Sequence, residues 1–318
     1  MKIITHNDIE NSKINPSLCY EWVSDMIKNK NRVILPAKTP MNPTKDSFIT
    51  TMPSLLPDHG IAGVKIVSRF SNRIPALDSQ ILLYDSNNGD IKAILDGNYI
   101  TTMRTGAVAA HSIKLLAKKD FETIGMVGLG NQARATIQVL LSLFPDREIR
   151  LKLKEYKNHH ILFKQYVKKL PDSKNITFEV YNSYSDTIRG SDVIISSVTY
   201  FDEDICEDDC FDAGCLLVPI HTRGFMNCDL FFDKIFADDT DHVRDFKYFN
   251  EFKDFAEISD ICNNLVPGRT NDSERILVYN IGLSMHDIYF AERIYQIIES
   301  TKKSEEMFLY PPKDKFWI

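Results

Sequence analysis

Apolar and polar residues recur along this chain with two different periods, and the change between them marks its main division. Between Ser17 and Asn29, Leu18, Trp22, Met26 and Ile27 share one helical face, which predicts a helix. Ile61–Ser68 and Ser79–Tyr84 predict strands, and Asp90–Leu95 predicts a third that pairs with the second as a hairpin. Its loop holds the favoured turn dipeptide Asn88-Gly89. Pro36, Pro40, Pro43, Pro53 and Pro57 punctuate the stretch before these strands, so loops and short strands are expected there. Thr101–Lys118 is rich in alanine and leucine and predicts a helix.

From Thr123 the pattern changes. Thr123–Val127 is a short apolar run, Asn131–Leu143 is helical, and Glu148–Glu155 alternates as a strand does. His160–Leu170 predicts a helix, Thr177–Val180 a strand and Asp186–Arg189 a short helix. Asp192–Ser197, Cys215–Ile220 and Lys234–Ala237 complete the predicted strands. Strands alternating with helices imply crossover units and a parallel sheet. Ile281–Glu299 predicts a long amphipathic helix, and Thr301–Glu306 a solvated charge run.

Composition narrows the class. The chain has 318 residues, 43% of them hydrophobic, and a net charge of −6, which speaks against a dedicated nucleic-acid partner. It holds no run of 18 apolar residues, so no membrane span is expected. Its start, Met1-Lys2-Ile3-Ile4-Thr5-His6, turns polar too soon for a signal peptide, and a cytoplasmic location is expected. The cysteine cluster Cys206-x3-Cys210-x4-Cys215 lacks zinc-site spacing, and Asp238-Asp-Thr-Asp-His242 fits no recognised metal loop, so no metal is expected.

Gly128-Leu-Gly130-Asn131-Gln132-Ala133 fits the dinucleotide fingerprint between a strand and a helix. Gly128 permits the tight turn, Gly130 lets the backbone approach a pyrophosphate, and Ala133 lets the helix pack close. The anion would sit at the helix N-terminus. Glu155, ending the second strand, is placed to bond the ribose hydroxyls of NAD, whereas Lys157 or His159 would meet the 2′-phosphate of NADP. NAD is expected, with NADP open. Ser196, Ser197 and Thr199 follow a later strand on the nicotinamide side. A methyltransferase glycine turn fits the spacing less well.

Three cations precede this turn. Lys38 follows Leu35-Pro-Ala, Lys65 interrupts the apolar strand Gly63-Val-Lys-Ile-Val, and Arg104 opens the small-residue segment Met103–Ala110. A lysine inside an apolar strand is costly unless paired or functional, and an arginine at a helix start opposes the dipole. Together they point to a small carboxylate, with arginine supplying a planar fork.

With these segments in place, the chain resembles the ornithine cyclodeaminase/μ-crystallin family almost from end to end. The resemblance is carried by Gly63–Ser68, Leu83-Tyr-Asp85 with Gly89, Asp96-Gly97 with Ile100-Thr101, Arg104–Ala107, Gly128–Ala133, Gly268-Arg269 and Asn280–Asp287. It implies an α/β fold in which a Rossmann NAD(P)-binding domain (118–282) is inserted in an α+β substrate-binding and dimerisation domain (1–117 plus 283–318), and a homodimer. It further implies hydride transfer at the α-carbon of a small amino or imino acid. Arg104 and Lys38 would hold the α-carboxylate, and Lys65 would assist proton transfer at the amine. Lys38 stands where many members have arginine, so bidentate binding is lost there.

Family cyclodeaminases carry an aspartate after the strand that matches Cys215–Ile220. Aligning Asp229-Leu230 with the family's acidic-Leu pair puts Arg223 at that place. Arg223 would bind a second carboxylate, and His221 would exchange protons near neutral pH. A dehydrogenase or ketimine reductase is therefore expected ahead of a true ornithine cyclodeaminase, with a non-catalytic NADP-dependent ligand carrier of μ-crystallin type as the reading of another class. His286-Asp287 is expected near the crevice, with its role open.

Overall fold

The computed structural model describes residues 1–198, 204–220, 228–301 and 305–308. The chain forms two compact units. One contains Met1–Ile14, Asn31–Thr101 and the chain from Ser284; the other contains Asn15–Lys30 and Thr102–Leu283. Strands and helices are numbered along the whole chain.

The first unit is built on a seven-stranded sheet. Its strands are β1 (Lys2–Ile4), β2 (Thr39–Thr44), β3 (Ser47–Leu56), β4 (Ile61–Arg69), β5 (Leu77–Asp85), β6 (Ile91–Asp96) and β15 (Glu305–Glu306), in the order β15-β1-β6-β5-β4-β3-β2. Helix α1 (His6–Asn11) follows β1, and α9 (Ser284–Thr301) packs across β3, β4 and β5. Gly63 makes that packing possible, since a Cβ there would stand 2.7 Å from Ile288 Cδ1. The expected hairpin forms between β5 and β6, with Gly89 at φ +80° in its turn.

Where loops and short strands are expected in the proline-rich stretch, β2 and β3 form one antiparallel pair, with β3 ten residues long. Pro40 and Pro43 lie on β2, the exposed edge strand, where a missing N–H breaks no inner ladder. Pro53 lies on β3 beyond Thr51, the last residue in register with β2.

The second unit holds an eight-stranded sheet that is parallel throughout. Its strands are β7 (Thr123–Val127), β8 (Ile149–Lys154), β9 (Ile176–Tyr181), β10 (Val193–Ser196), β11 (Leu216–Pro219), β12 (Lys234–Ala237), β13 (Ala256–Glu257) and β14 (Ile276–Tyr279). Their order is β13-β12-β14-β11-β10-β7-β8-β9. Chain direction across the sheet reverses beside β7, between β8 and β10, which is the switch point of a Rossmann sheet. The fold is α/β. The sequence pattern did not reveal β14, which nevertheless sits inside the sheet. Four apolar residues are too few to carry a period.

The helices of this unit are α2 (Pro16–Lys28), most of α3 (Asn98–Leu116), α4 (Asn131–Leu143), α5 (His159–Val167), α6 (Tyr184–Ile188), α7 (Thr240–Val243) and α8 (Ile258–Cys262). Both α2 and the body of α3 therefore group with the parallel sheet, unlike the expected segmentation at 117/118. Tertiary packing is the reason. Helix α2 lies against α4 and α8, and Gly106 of α3 touches α4 so closely that a Cβ would stand 2.6 Å from the Ala135 carbonyl carbon and the Thr136 nitrogen.

Candidate active site

The glycine turn leaves the carboxyl end of β7 at the switch point. Gly128 has φ +88°, and a Cβ there would stand 2.8 Å from the Ser197 carbonyl carbon, so both conformation and space require glycine. Ser197 follows β10 and pins the turn: its N–H donates to the Val127 carbonyl at 2.8 Å, and its hydroxyl donates to the Gly128 carbonyl at 3.0 Å. Gly130 differs, because among the described residues, its chain neighbours aside, no atom lies within 4 Å of the position its Cβ would take. It is the N-cap of α4 and has no side chain to cap the first-turn N–H groups that follow at Asn131, Gln132 and Ala133. Open space over a glycine and uncapped helical N–H groups suit a pyrophosphate. The residues present therefore fit a dinucleotide. Ala133 is fully buried, as close helix packing demands.

Glu155 immediately follows β8. Its N–H donates to the Tyr181 carbonyl at 2.8 Å, and its partly exposed carboxylate lies 3.9 Å from His160 Nε2. Lys157, two residues on, adopts a left-handed conformation at φ +48°.

Arg104 is buried in the second turn of α3. The helix starts earlier than expected, at Asn98, whose N–H donates to Asp96 Oδ1 at 3.0 Å and whose side-chain oxygen accepts from the Ser79 N–H. The dipole penalty expected for an arginine at a helix start therefore does not apply. Small residues around Arg104 have a purpose, since the Gly106 contact ties its helix to α4, which begins at the glycine turn. On the other side, Gly282 at φ +94° lies so near the guanidinium that a Cβ would stand 2.5 Å from Nη1.

In the first unit, Lys65 is 1% exposed on β4, and its Nζ lies 2.7 Å from Oδ2 of fully buried Asp287 in the first turn of α9. Lys38 is half-buried just ahead of β2. Thr39, the first residue of β2, pairs with Thr51 of β3, and the next residue of β3, Met52, pairs with Lys65 of β4. Asp287 is the residue whose role the sequence left open. Its signal was a carboxylate directly before the apolar run Ile288-Tyr-Phe-Ala, the mirror of the lysine inside β4.

His221, Arg223 and Thr199 lie outside the described residues. In the stretch Asp238–His242, Asp238 Oδ2 accepts the Gly282 N–H at 2.5 Å, and Asp239 caps α7 and pairs with Lys30 at 2.7 Å. Asp229 is wholly buried and accepts the Tyr279 hydroxyl, and burial pushes its carboxyl up to about 7. Arg269 closes the carboxyl end of α3 by donating to the Leu116 carbonyl at 2.8 Å.

A model of the ornithine cyclodeaminase/mu-crystallin family matches residues 2–302. The chain belongs to this family. Its relatives include an N-((2S)-2-amino-2-carboxyethyl)-L-glutamate dehydrogenase of Staphylococcus aureus, 26% identical over 282 residues, 82% of each chain. The fold is shared with the Thermococcus litoralis Δ1-pyrroline-2-carboxylate reductase solved with NADH and L-proline, at TM-score 0.84 and 21% identity, covering 96% of this chain and 100% of that one. An archaeal alanine dehydrogenase dimer with bound NAD also has TM-score 0.84 at 21% identity, covering 98% and 99%. In this family member the glycine turn lies between β7 and α4, Lys65 on β4 and Arg104 on α3.

Proposed function

We propose that this family member is an NAD(P)-dependent oxidoreductase acting at the α-carbon of a small amino or imino acid. The observation that carries the reading is the glycine turn at the switch point of the parallel sheet, with space over Gly130 among the described residues and a glycine, without a capping side chain, at the start of α4. A nicotinamide dinucleotide bound there supplies or accepts a hydride. Asn131, Gln132 and Ala133 would offer N–H groups to its pyrophosphate, Ser197 holds the turn, and Glu155 would bond the ribose hydroxyls, which favours NAD.

The chain's own groups account for the rest of the chemistry. Arg104 presents a planar fork for the α-carboxylate and fixes the orientation of the α-carbon. Lys38 adds a point charge for the same anion. Lys65, held by Asp287, gives a proton to the substrate nitrogen during reduction and takes one during oxidation. Arg223, in place of the cyclodeaminase aspartate, supports net redox chemistry over ornithine cyclisation and suits a substrate with a second carboxylate; His221 would add a proton-exchanging group.

We assign the first unit to substrate binding and dimerisation. An open apolar groove of 310 Å³ on its sheet, lined by Ile34, Pro53, Leu55, Val64 and Tyr84 among others, supports a homodimer. Six cysteines without a disulfide support a reducing, cytoplasmic setting.

The test is turnover of NADH or NADPH with cyclic imino acids and with α-keto acids plus amines, and of NAD with amino acids. Ammonia and proline are measured alongside for L-ornithine, because that cycle regenerates its cofactor. Redox turnover is expected, and Arg104→Ala should abolish it while cofactor affinity is kept. Tight cofactor binding with no turnover of any kind would overturn the reading in favour of a ligand carrier.

A further inference from the structure

Arg104 bears on the backbone of residue 282, and that backbone is itself held from behind. A Cβ at Gly282 would stand 2.5 Å from Nη1 and 3.3 Å from Cζ of Arg104, so the guanidinium lies directly against this residue. The N–H of Gly282 donates to Oδ2 of Asp238 at 2.5 Å. Asp238 follows β12, is 6% exposed, and through its own N–H bonds the Tyr279 carbonyl at 3.0 Å. One aspartate therefore ties both ends of the span Tyr279–Gly282, by its backbone at 279 and by its carboxylate at 282. Between them, the Asn280 N–H donates to the Pro219 carbonyl at 3.1 Å, and the Asn280 side chain accepts from the Ser112 hydroxyl of α3 at 3.1 Å.

The pins at 279 and 280 act on the residues before this peptide, whereas the Asp238 carboxylate bonds the N–H of Gly282 itself. That bond holds the peptide on the side of the N–H. A charged acceptor makes a stronger and shorter bond to an N–H than a neutral one. The peptide is planar, so fixing its N–H fixes the whole face against which the guanidinium rests. His242, whose Nδ1 lies 3.9 Å from the other carboxylate oxygen, is the nearby titratable neighbour on the following helix.

We propose that Asp238 is a positioning residue for the substrate-carboxylate anchor: by holding the Gly282 N–H, it sets the backbone surface that orients the Arg104 guanidinium. The proposal rests on the reading of Arg104 as that anchor. A bidentate fork must meet its carboxylate in plane, and a misplacement of about 1 Å costs on the order of 100-fold in rate. Asp238 touches neither substrate nor cofactor in this role.

The test compares Asp238→Ala, Asp238→Asn, Gly282→Ala and Arg104→Ala. A crystal structure of Asp238→Ala should show the Gly282 peptide and the guanidinium displaced by about 1 Å, the scale at which orientation governs rate. With Δ1-pyrroline-2-carboxylate, or with pyruvate and ammonia, its KM should rise at least about tenfold, while the NADH Kd read by fluorescence changes less than about twofold. Asp238→Asn retains a side-chain oxygen for the N–H and should restore KM to within about threefold. Gly282→Ala should reproduce the Asp238→Ala effect. An unmoved guanidinium in Asp238→Ala, or a lowered Tm with wild-type KM, would overturn the proposal and leave a structural role only. Arg104→Ala with wild-type kcat and KM would instead overturn the anchor reading beneath it.

Discussion

Nζ of Lys65 stands 2.7 Å from Oδ2 of Asp287, and both side chains are closed off from solvent. The two residues are 222 apart in the chain, and the pair fastens α9 to the middle of the first sheet. Neither charge has a reason to be buried without the other.

Removing one partner therefore strands the other. Lys65→Met and Asp287→Leu should each lose about 3–5 kcal/mol of stability, whereas the double variant should recover most of it, because two apolar side chains replace the pair. Urea unfolding of the four proteins in a double-mutant cycle reads this directly. Additive losses would show that the pair is not coupled. Lys65→Met should also lower kcat by about 10²–10⁴-fold, the usual range for a lost proton-transfer group.

The two glycines of the cofactor turn should respond differently to the same methyl group. Gly130→Ala points a Cβ into open space, so Tm should be unchanged while NADH binding weakens. Gly128→Ala meets the Ser197 backbone at 2.8 Å and strains a φ of +88°, so both Tm and binding should fall. Thermal scans with and without NADH distinguish them. A Gly130→Ala variant that binds NADH normally would remove the pyrophosphate from this turn.

Cofactor choice should depend on Glu155. Its carboxylate follows β8 and remains partly exposed, open to ribose hydroxyls. Glu155→Ala should weaken NADH more than NADPH, measured by fluorescence titration. Equal losses for both would remove Glu155 from the ribose site.

Asp229 should make stability fall as pH rises. Burial lifts its carboxyl from the ordinary range near 4 to about 7, so the folded protein holds a proton that the unfolded chain has released. The stabilisation is complete below about pH 4 and is lost as pH climbs through about 7. Asp229→Asn keeps an acceptor for the Tyr279 hydroxyl and cannot ionise. It should be more stable than the wild type at pH 8, and its unfolding midpoint should vary less between pH 5 and 8. Parallel urea titrations of the two proteins at both pH values check this.

How much of this protein could be read from the chain alone depended on distance along it. β7 and α4 run from Thr123 to Val127 and from Asn131 to Leu143, as their local pattern predicts, because an apolar run, a glycine turn and a helical period all lie within a few residues. The cations Lys38, Lys65 and Arg104 were conspicuous for the same reason, since each breaks its neighbours' pattern. The rest required contacts between distant segments. β14 is four residues with no period, and becomes a strand only because β11 and β12 lie on either side of it. Helix α2 groups with the parallel sheet because α4 and α8 pack on it, which no local signal announces. Lys65 declared in sequence that it needed a partner, but only folding chose Asp287. Local sequence determines conformation over a turn or a strand, whereas a buried charge is balanced by whichever group the tertiary packing brings within about 3 Å.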